Sequence, residues 1–314
     1  VVPAISPESW TRPPFAGLSE NGAIWGRGVV DTKGSLAAAV PAVAALGRRG
    51  MRGTLVMSAS VGEEMVEGLA LGYILDRCAP DMVVICEPTG LRLGIGHKGR
   101  CGLVLTTQGV AAHSSRPEAG VNAVYRMLDA VSRVRAIPLP HDELLGRGVN
   151  ELVEIVSSPY PGTSMVPEGC TTRFDRRLVR GETRDSVLEE LYDALRGLDG
   201  LSVAYHRAEL TTYTGRTFIV EDFHPAWAMG EDIEIVRRAQ RGLTTGGLDA
   251  SLYLAPYCTN GATSAGERGL PTIIYGAGDI TRAHGVDEHL GEEALVRCFH
   301  GYVALLDGLL RGST

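Results

Sequence analysis

The sequence predicts an α/β domain, a central sheet with flanking helices, interrupted by a small α+β domain. Three observations predict it. Residues 54–86 alternate strand, helix and strand patterns with short connections. After Gly99 the texture changes to strand-helix-strand-strand-helix-strand, the split βαβ order. Beyond residue 211, helix and buried-strand patterns resume. A length of 314 residues agrees, at roughly 100–200 residues per domain, with two domains. The boundaries read as 1–99 with 212–314 for the outer domain and 100–211 for the insertion.

Ala37 to Leu46 is Ala-rich with helical periodicity, and Pro41 should kink it or end its first part. Gly47-Arg48-Arg49-Gly50 reads as its stop. Thr54–Ser60 and Asp81–Cys86 read as short buried strands around a helix at Leu69–Arg77. In the insertion, Gly102–Thr107, Leu152–Ser157, Thr171–Leu178 and Leu201–His206 are strand-like. Asn122–Arg135 is an amphipathic helix, and Ser186–Arg196 is a second, introduced by Asp185. Asp232–Gln240 and Glu292–Leu310 then read as helices, with a buried strand at Leu270–Tyr275.

Thirty basic against thirty-seven acidic residues give a net charge of −7. That balance argues against a nucleic-acid or anionic-membrane partner. No run approaches the roughly eighteen uninterrupted apolar residues of a bilayer span. Six cysteines are scattered without a C-x-x-C pair, so they read as single buried thiols of a reducing, cytoplasmic compartment. Val1-Val2-Pro3 reads like mid-domain sequence, so the natural protein is expected to be longer at this end.

Four polar clusters stand at strand ends or on the loops between strands. They are Asp31 within Gly26–Gly34, Glu63-Glu64 after Gly62, Glu87-Pro88-Thr89, and Ala283-His284-Gly285. In an open α/β sheet, ligands bind beyond the carboxyl ends of strands. Carboxylates gathered there repel one another and take up protons unless a cation neutralises them. Carboxylates with an imidazole suit a divalent ion such as zinc. In an adjacent Glu-Glu pair one residue can coordinate while the other serves as general base. Taken singly, each cluster reads more simply: a solvated pair, a helix cap, a turn, a structural histidine. Their joint occurrence at strand ends favours a metal site.

These residues resemble the signatures of the M20 metallopeptidase and deacylase family. Trp25-Gly26-Arg27-Gly28 through Asp31-Thr32-Lys33-Gly34 is similar to its GRG-x-x-D-x-K-G motif. Gly62-Glu63-Glu64, Glu87-Pro88-Thr89, Gly109 through His113 to Pro117, Gly120-Val121-Asn122-Ala123 and Ala283-His284 follow in the family's order. His97-Lys98-Gly99-Arg100, Phe174–Leu178, His224–Trp227 and Cys258-Thr259-Asn260-Gly261 look like the branch of hydrolases linked to selenium metabolism.

The resemblance implies a zinc-exopeptidase-like catalytic domain, a mixed sheet flanked by helices, interrupted by a ferredoxin-like lid and dimerisation domain. It implies two divalent metal ions, zinc with cobalt or manganese as alternatives. Asp31 would bridge them, Glu64 and His284 would complete one site, and Glu87 would belong to the other. Glu63 would be the general base, and His113 would stabilise the oxyanion in a partner subunit's site. Arg177 and Asn260 would hold the substrate. The implied activity is hydrolysis of the amide bond of a small N-acyl amino acid or dipeptide with a free carboxylate, in a homodimer formed through the insertion.

The sequence also departs from the family. The H-x-D motif expected just before Val1 is absent, which leaves the second metal site incomplete. By itself the chain is therefore expected to hold at most one metal tightly, through Asp31, Glu64 and His284, and to show little or no hydrolysis. Gly276-Ala277-Gly278 replaces the usual Gly-Pro-Gly, and Pro41 inside the helix is unusual. Two other readings stay open: a catalytically silent or truncated homologue that binds or assembles, and an N-carbamoyl or deaminating hydrolase at the same site.

Overall fold

The computed structural model describes residues 1–49 and 53–310, in two compact units: Val1–His97 with Trp227–Thr314, and Lys98–Ala226. Gly50, the last residue of the expected helix stop, lies outside the described residues. In chain order the first unit supplies β1 (Leu18–Glu20), β2 (Ala23–Trp25), α1 (Gly34–Arg48), α2 (Leu69–Cys78), β3 (Val83–Ile85) and β4 (Leu93–His97). The second supplies β5 (Gly99–Gln108), α3 (Ala123–Arg135), β6 (His141–Asp142), β7 (Gly146–Arg147), β8 (Val149–Ser158), β9 (Gly169–Leu178), α4 (Arg184–Ala194), β10 (Leu201–Tyr205), β11 (Arg207–Thr211), β12 (Thr217–Glu221) and β13 (Phe223–His224). The chain returns to the first unit with β14 (Trp227–Ala228), α5 (Glu234–Thr245), β15 (Leu252–Ala255), β16 (Thr272–Ile274), β17 (His289–Gly291) and α6 (Glu292–Leu310).

The main sheet of the first unit has the order β14-β4-β16-β3, with β15 also on β4. It is mixed: β15 on β4 and β16 on β3 run parallel, whereas β14 and β16 run antiparallel to β4. Successive side chains on a strand face opposite ways. Ile273 therefore enters the core with α1, α5 and α6, while Ile274 joins Leu71 and Leu75 of α2. Val29–Arg48 has the length and mean hydropathy, 1.4, of a bilayer span. Its Ala38, Ala39, Ala42 and Leu46 are buried in the same core as Tyr302 and Leu305 of α6, which is the placement of a core helix.

Two expectations change here. α1 continues through Pro41 as one helix instead of ending there. Pro41 and Ala37, whose carbonyl loses its helical donor, are both solvent-exposed, so water can serve that carbonyl and the buried stripe is unbroken. Thr54–Ser60 forms no strand. A run of apolar residues becomes a strand only where a ladder partner lies beside it. Among the described residues β3 pairs with β16 alone, and Thr54–Ser60 pairs with neither.

In the second unit the four long strands order β10-β5-β9-β8, all antiparallel. Numbered within the unit, that is 4-1-3-2, the arrangement two split βαβ halves produce. Cys101, Leu103 and Leu105 of β5 and Phe174 of β9 are buried with Met127 and Val134 of α3 and Leu191 of α4. Asn122 caps α3 by accepting from Val124 N at 2.9 Å. α4 is capped by Thr183 in a capping box with Ser186, so Asp185 lies inside its first turn rather than introducing it. The unit also takes in the β11–β12 hairpin and β13, past the residue 211 at which the sequence pattern changes.

Candidate metal centre

Each acidic cluster is delivered by a short irregular segment of the first unit. Asp31, at φ −119° and ψ 90°, is extended backbone just ahead of α1. Thr32 Oγ1 donates to Cys86 O at 2.9 Å and ties this segment to the residue before Glu87. Glu63 and Glu64 lie in the turn before α2, held by Asn260 Oδ1, which accepts from Gly68 N at 2.7 Å. Glu87 stands two residues past the end of β3. The Tyr257 hydroxyl donates to Pro88 O at 2.9 Å and fixes that strand end. His284, in left-handed backbone at φ 63°, follows β16 through the turn at Ile280–Arg282.

Asp31, Glu63, Glu64, Glu87 and Asn260 line one cavity of about 420 Å³. His284 Nε2 stands 3.0 Å from Asp31 Oδ2 and 3.3 Å from Glu64 Oε1. One ligand atom from each of Asp31, Glu64 and His284 lies within 4.8 Å of the others. His284 is 49% exposed and so reachable from solvent.

The electrostatics carry the mark of a cation site. Burial pushes the Glu87 carboxyl well above its usual range, and the charges of Asp31, Glu63, Glu64 and Glu67 push it further. Burial also raises Glu64, but its hydrogen bond to His284 and the imidazolium charge outweigh this and hold it low. Hydrogen bonds to Asp31 and then Glu64 push the His284 imidazole up to about 10. The protonated imidazole is thus the positive charge that these carboxylates gather. Two carboxylate oxygens and one imidazole nitrogen at this spacing fit a divalent ion of the zinc type.

The remaining expected site residues lie in the second unit. His113 is exposed, with Nδ1 2.8 Å from Ser115 Oγ. Arg177, on β9, pairs with Asp175 at 2.9 Å. Its neighbour Arg176 turns inward and is buried against Glu182 and Glu190 at 2.6 and 2.5 Å.

Glu288 and Tyr257 stand outside the sequence motifs, and Arg27 lies within one that gives it no role of its own. Glu288 and Arg27 form a buried ion pair at 2.5 Å behind the Asp31 and His284 loops. An acidic residue four positions after His284 was the available signal for Glu288; its partner lies 261 residues away.

Gly276 belongs to the same framework. A Cβ there would fall 2.4 Å from Glu87 O and 2.5 Å from Ser35 Oγ. Gly276→Ala should therefore cost about 1–3 kcal/mol of stability, as overpacking does, and displace Glu87. Thermal melting checks this. A variant as stable as the parent, with the same cation content, would show that the strand end yields freely.

The chain is similar to known proteins over most of its length. The profile of Peptidase family M20/M25/M40 matches residues 1–308. YgeY of Escherichia coli (strain K12) is 30% identical over 309 residues, covering 95% of this chain and 76% of its own length. A succinyl-diaminopimelate desuccinylase of Xanthobacter autotrophicus is 30% identical over 275 residues, covering 82% and 70%. The crystal structure of aminopeptidase PepT from Bacillus cereus superposes with a TM-score of 0.72 at 18% identity, covering 94% of this chain and 76% of that one. With motifs, fold and profile in agreement over nearly its whole length, this chain belongs to peptidase family M20/M25/M40.

Proposed function

We propose that the protein is a metal-dependent amidohydrolase that cleaves the amide bond of a small N-acyl amino acid or dipeptide bearing a free carboxylate. The observation that carries the reading is the Asp31–Glu64–His284 donor set beside buried Glu87. The family membership supports it, and the likeness to a desuccinylase favours an N-acyl amino acid. Zinc, or cobalt or manganese in its place, would be held by Asp31, Glu64 and His284, with Glu87 and Asp31 facing a second ion. Such an ion supplies Lewis-acid activation of the attacking water and the scissile carbonyl. Glu63 takes the proton from that water and returns it to the leaving amine. His113 stabilises the oxyanion from a partner copy. Arg177, whose fork suits a carboxylate, and Asn260 orient the substrate.

A hydrolysis screen of N-acetyl, N-succinyl and N-carbamoyl amino acids and dipeptides tests the reading. It uses the full-length gene product with added zinc, manganese or cobalt. Turnover of N-acyl substrates supports it; turnover of N-carbamoyl substrates alone would replace it with the carbamoyl reading.

The homodimer is assigned to the second unit. β8 is an edge strand of its sheet, and Val153 and Ile155 are 52% and 46% exposed. An exposed apolar edge invites another strand. Val153→Lys with Ile155→Lys should convert the dimer to a monomer in sedimentation velocity while the unit stays folded. A dimer that persists places the interface elsewhere.

A further inference from the structure

Glu288 is an acidic residue four positions past a metal-ligand candidate, yet its geometry rules it out as a ligand. Its Oε1 accepts from Val30 N at 2.8 Å and Asp31 N at 3.2 Å. Its Oε2 accepts from Arg27 Nη1 at 2.5 Å and Gly28 N at 3.0 Å. A carboxylate offers about four lone-pair sites, and four donors occupy them. Both side chains are buried, at 2% and 1% exposure.

The side-chain hydrogen bonds of the pair all end on the same two loops. Arg27 Nη2 donates to the carbonyls of His284 at 3.2 Å and Gly285 at 3.1 Å. The Glu288 carbonyl accepts from Gly26 N at 2.9 Å. One loop carries Asp31 and the other His284, whose side chains meet at 3.0 Å. A buried ion pair is often no better for stability than apolar residues of the same volume. What apolar residues could not supply is this set of bonds to backbone on both sides.

We infer that Arg27 and Glu288 form a positioning strap that fixes the Asp31 loop against the His284 loop and thereby sets the affinity and geometry of the cation site. The inference rests on the reading of Asp31, Glu64 and His284 as ligands. Outer partners that orient metal ligands change metal affinity about 10–100-fold when altered. In Glu288→Gln an amide NH2 replaces one acceptor oxygen, so two of the four donors face a donor instead.

The test uses the 314-residue chain and Co²⁺ alone. Affinity is read by competition with a chromogenic chelator, and ligand geometry by the visible absorption of bound Co²⁺. His284→Ala controls for the ligand reading and should abolish tight binding; if it does not, that reading fails, whatever Glu288 does. With the control passed, Glu288→Gln should bind Co²⁺ about 10–100-fold more weakly and shift its visible band. A folded Glu288→Gln chain with affinity within about twofold of the parent and an unchanged band overturns the strap, since its effect falls far below that range. If Glu288→Gln fails to fold, Arg27→Lys decides. It keeps the charge facing Glu288 and gives up the fork that reaches His284 O and Gly285 O. Weaker Co²⁺ binding with a shifted band then supports the strap, and parental binding overturns it.

Discussion

Glu63→Gln in the full-length gene product should leave the fold and cation content unchanged and slow hydrolysis by about 10²- to 10⁴-fold, the usual contribution of a general base. Three carboxylates besides Asp31 line the cavity, and their surroundings separate their roles. Glu64 is held ionised by the His284 imidazolium, which suits a ligand. Glu87 is buried among like charges that raise its carboxyl, which suits a group a cation would neutralise. Glu63 is half-buried in the turn beside Glu64, next to the donor set without belonging to it. Glutamine has nearly the same shape and cannot take a proton from water. Turnover measured together with metal content discriminates: Glu64→Gln should lose both, Glu63→Gln only turnover. A Glu63→Gln enzyme that keeps more than about a tenth of the parental rate would move the base elsewhere.

The acidic clusters were legible because their information is local. Asp31, Glu64 and Glu87 each stand at the end of an apolar run or against a helix start, where an α/β sheet exposes its ligand-binding edge. Their approach to His284 follows from the topology rather than from any one motif. The Arg27–Glu288 pair was not legible, since two charged residues 261 positions apart carry no periodicity and no shared context. Pro41 misled for a related reason. Whether a proline breaks a helix depends on which face it occupies, and only the packed structure shows that Ala37 and Pro41 face water. Thr54–Ser60 has strand composition, but a strand is a pairing and not a property of one segment. In the insertion, alternation on β5 and β9 and the α3 cap at Asn122 are short-range signals. The β11–β12 hairpin is short and half-exposed on both strands, which weakens the alternation that would announce it.

The 314-residue chain should retain one divalent ion after dialysis against a mild chelator, and its affinity for that ion should climb steeply with pH. His284 is pushed up to about 10 by its hydrogen bonds to Asp31 and Glu64, so at neutral pH it holds a proton on the nitrogen a metal needs. A histidine ligand must be neutral, so each ion bound expels one proton. One proton per ion makes affinity rise about tenfold per pH unit below the imidazole's pKa and level off above it. Stability of the metal-free chain runs the other way. A pKa raised above the unfolded value of about 6.5 stabilises fully below that pH and loses its effect as pH climbs through the folded value. The metal-free chain should therefore melt lower as pH rises from about 6.5 toward 10, while cation binding strengthens over the same window. Among the described residues, the three-ligand group is Asp31, Glu64 and His284, and Glu87 lies outside it, so a second ion on the Glu87 side should wash out. Calorimetric titration in buffers of different ionisation enthalpy counts the proton, and elemental analysis counts the ion. Two ions retained per chain would mean that other residues complete the second site. Cation affinity independent of pH across the neutral range would mean that His284 is not a ligand.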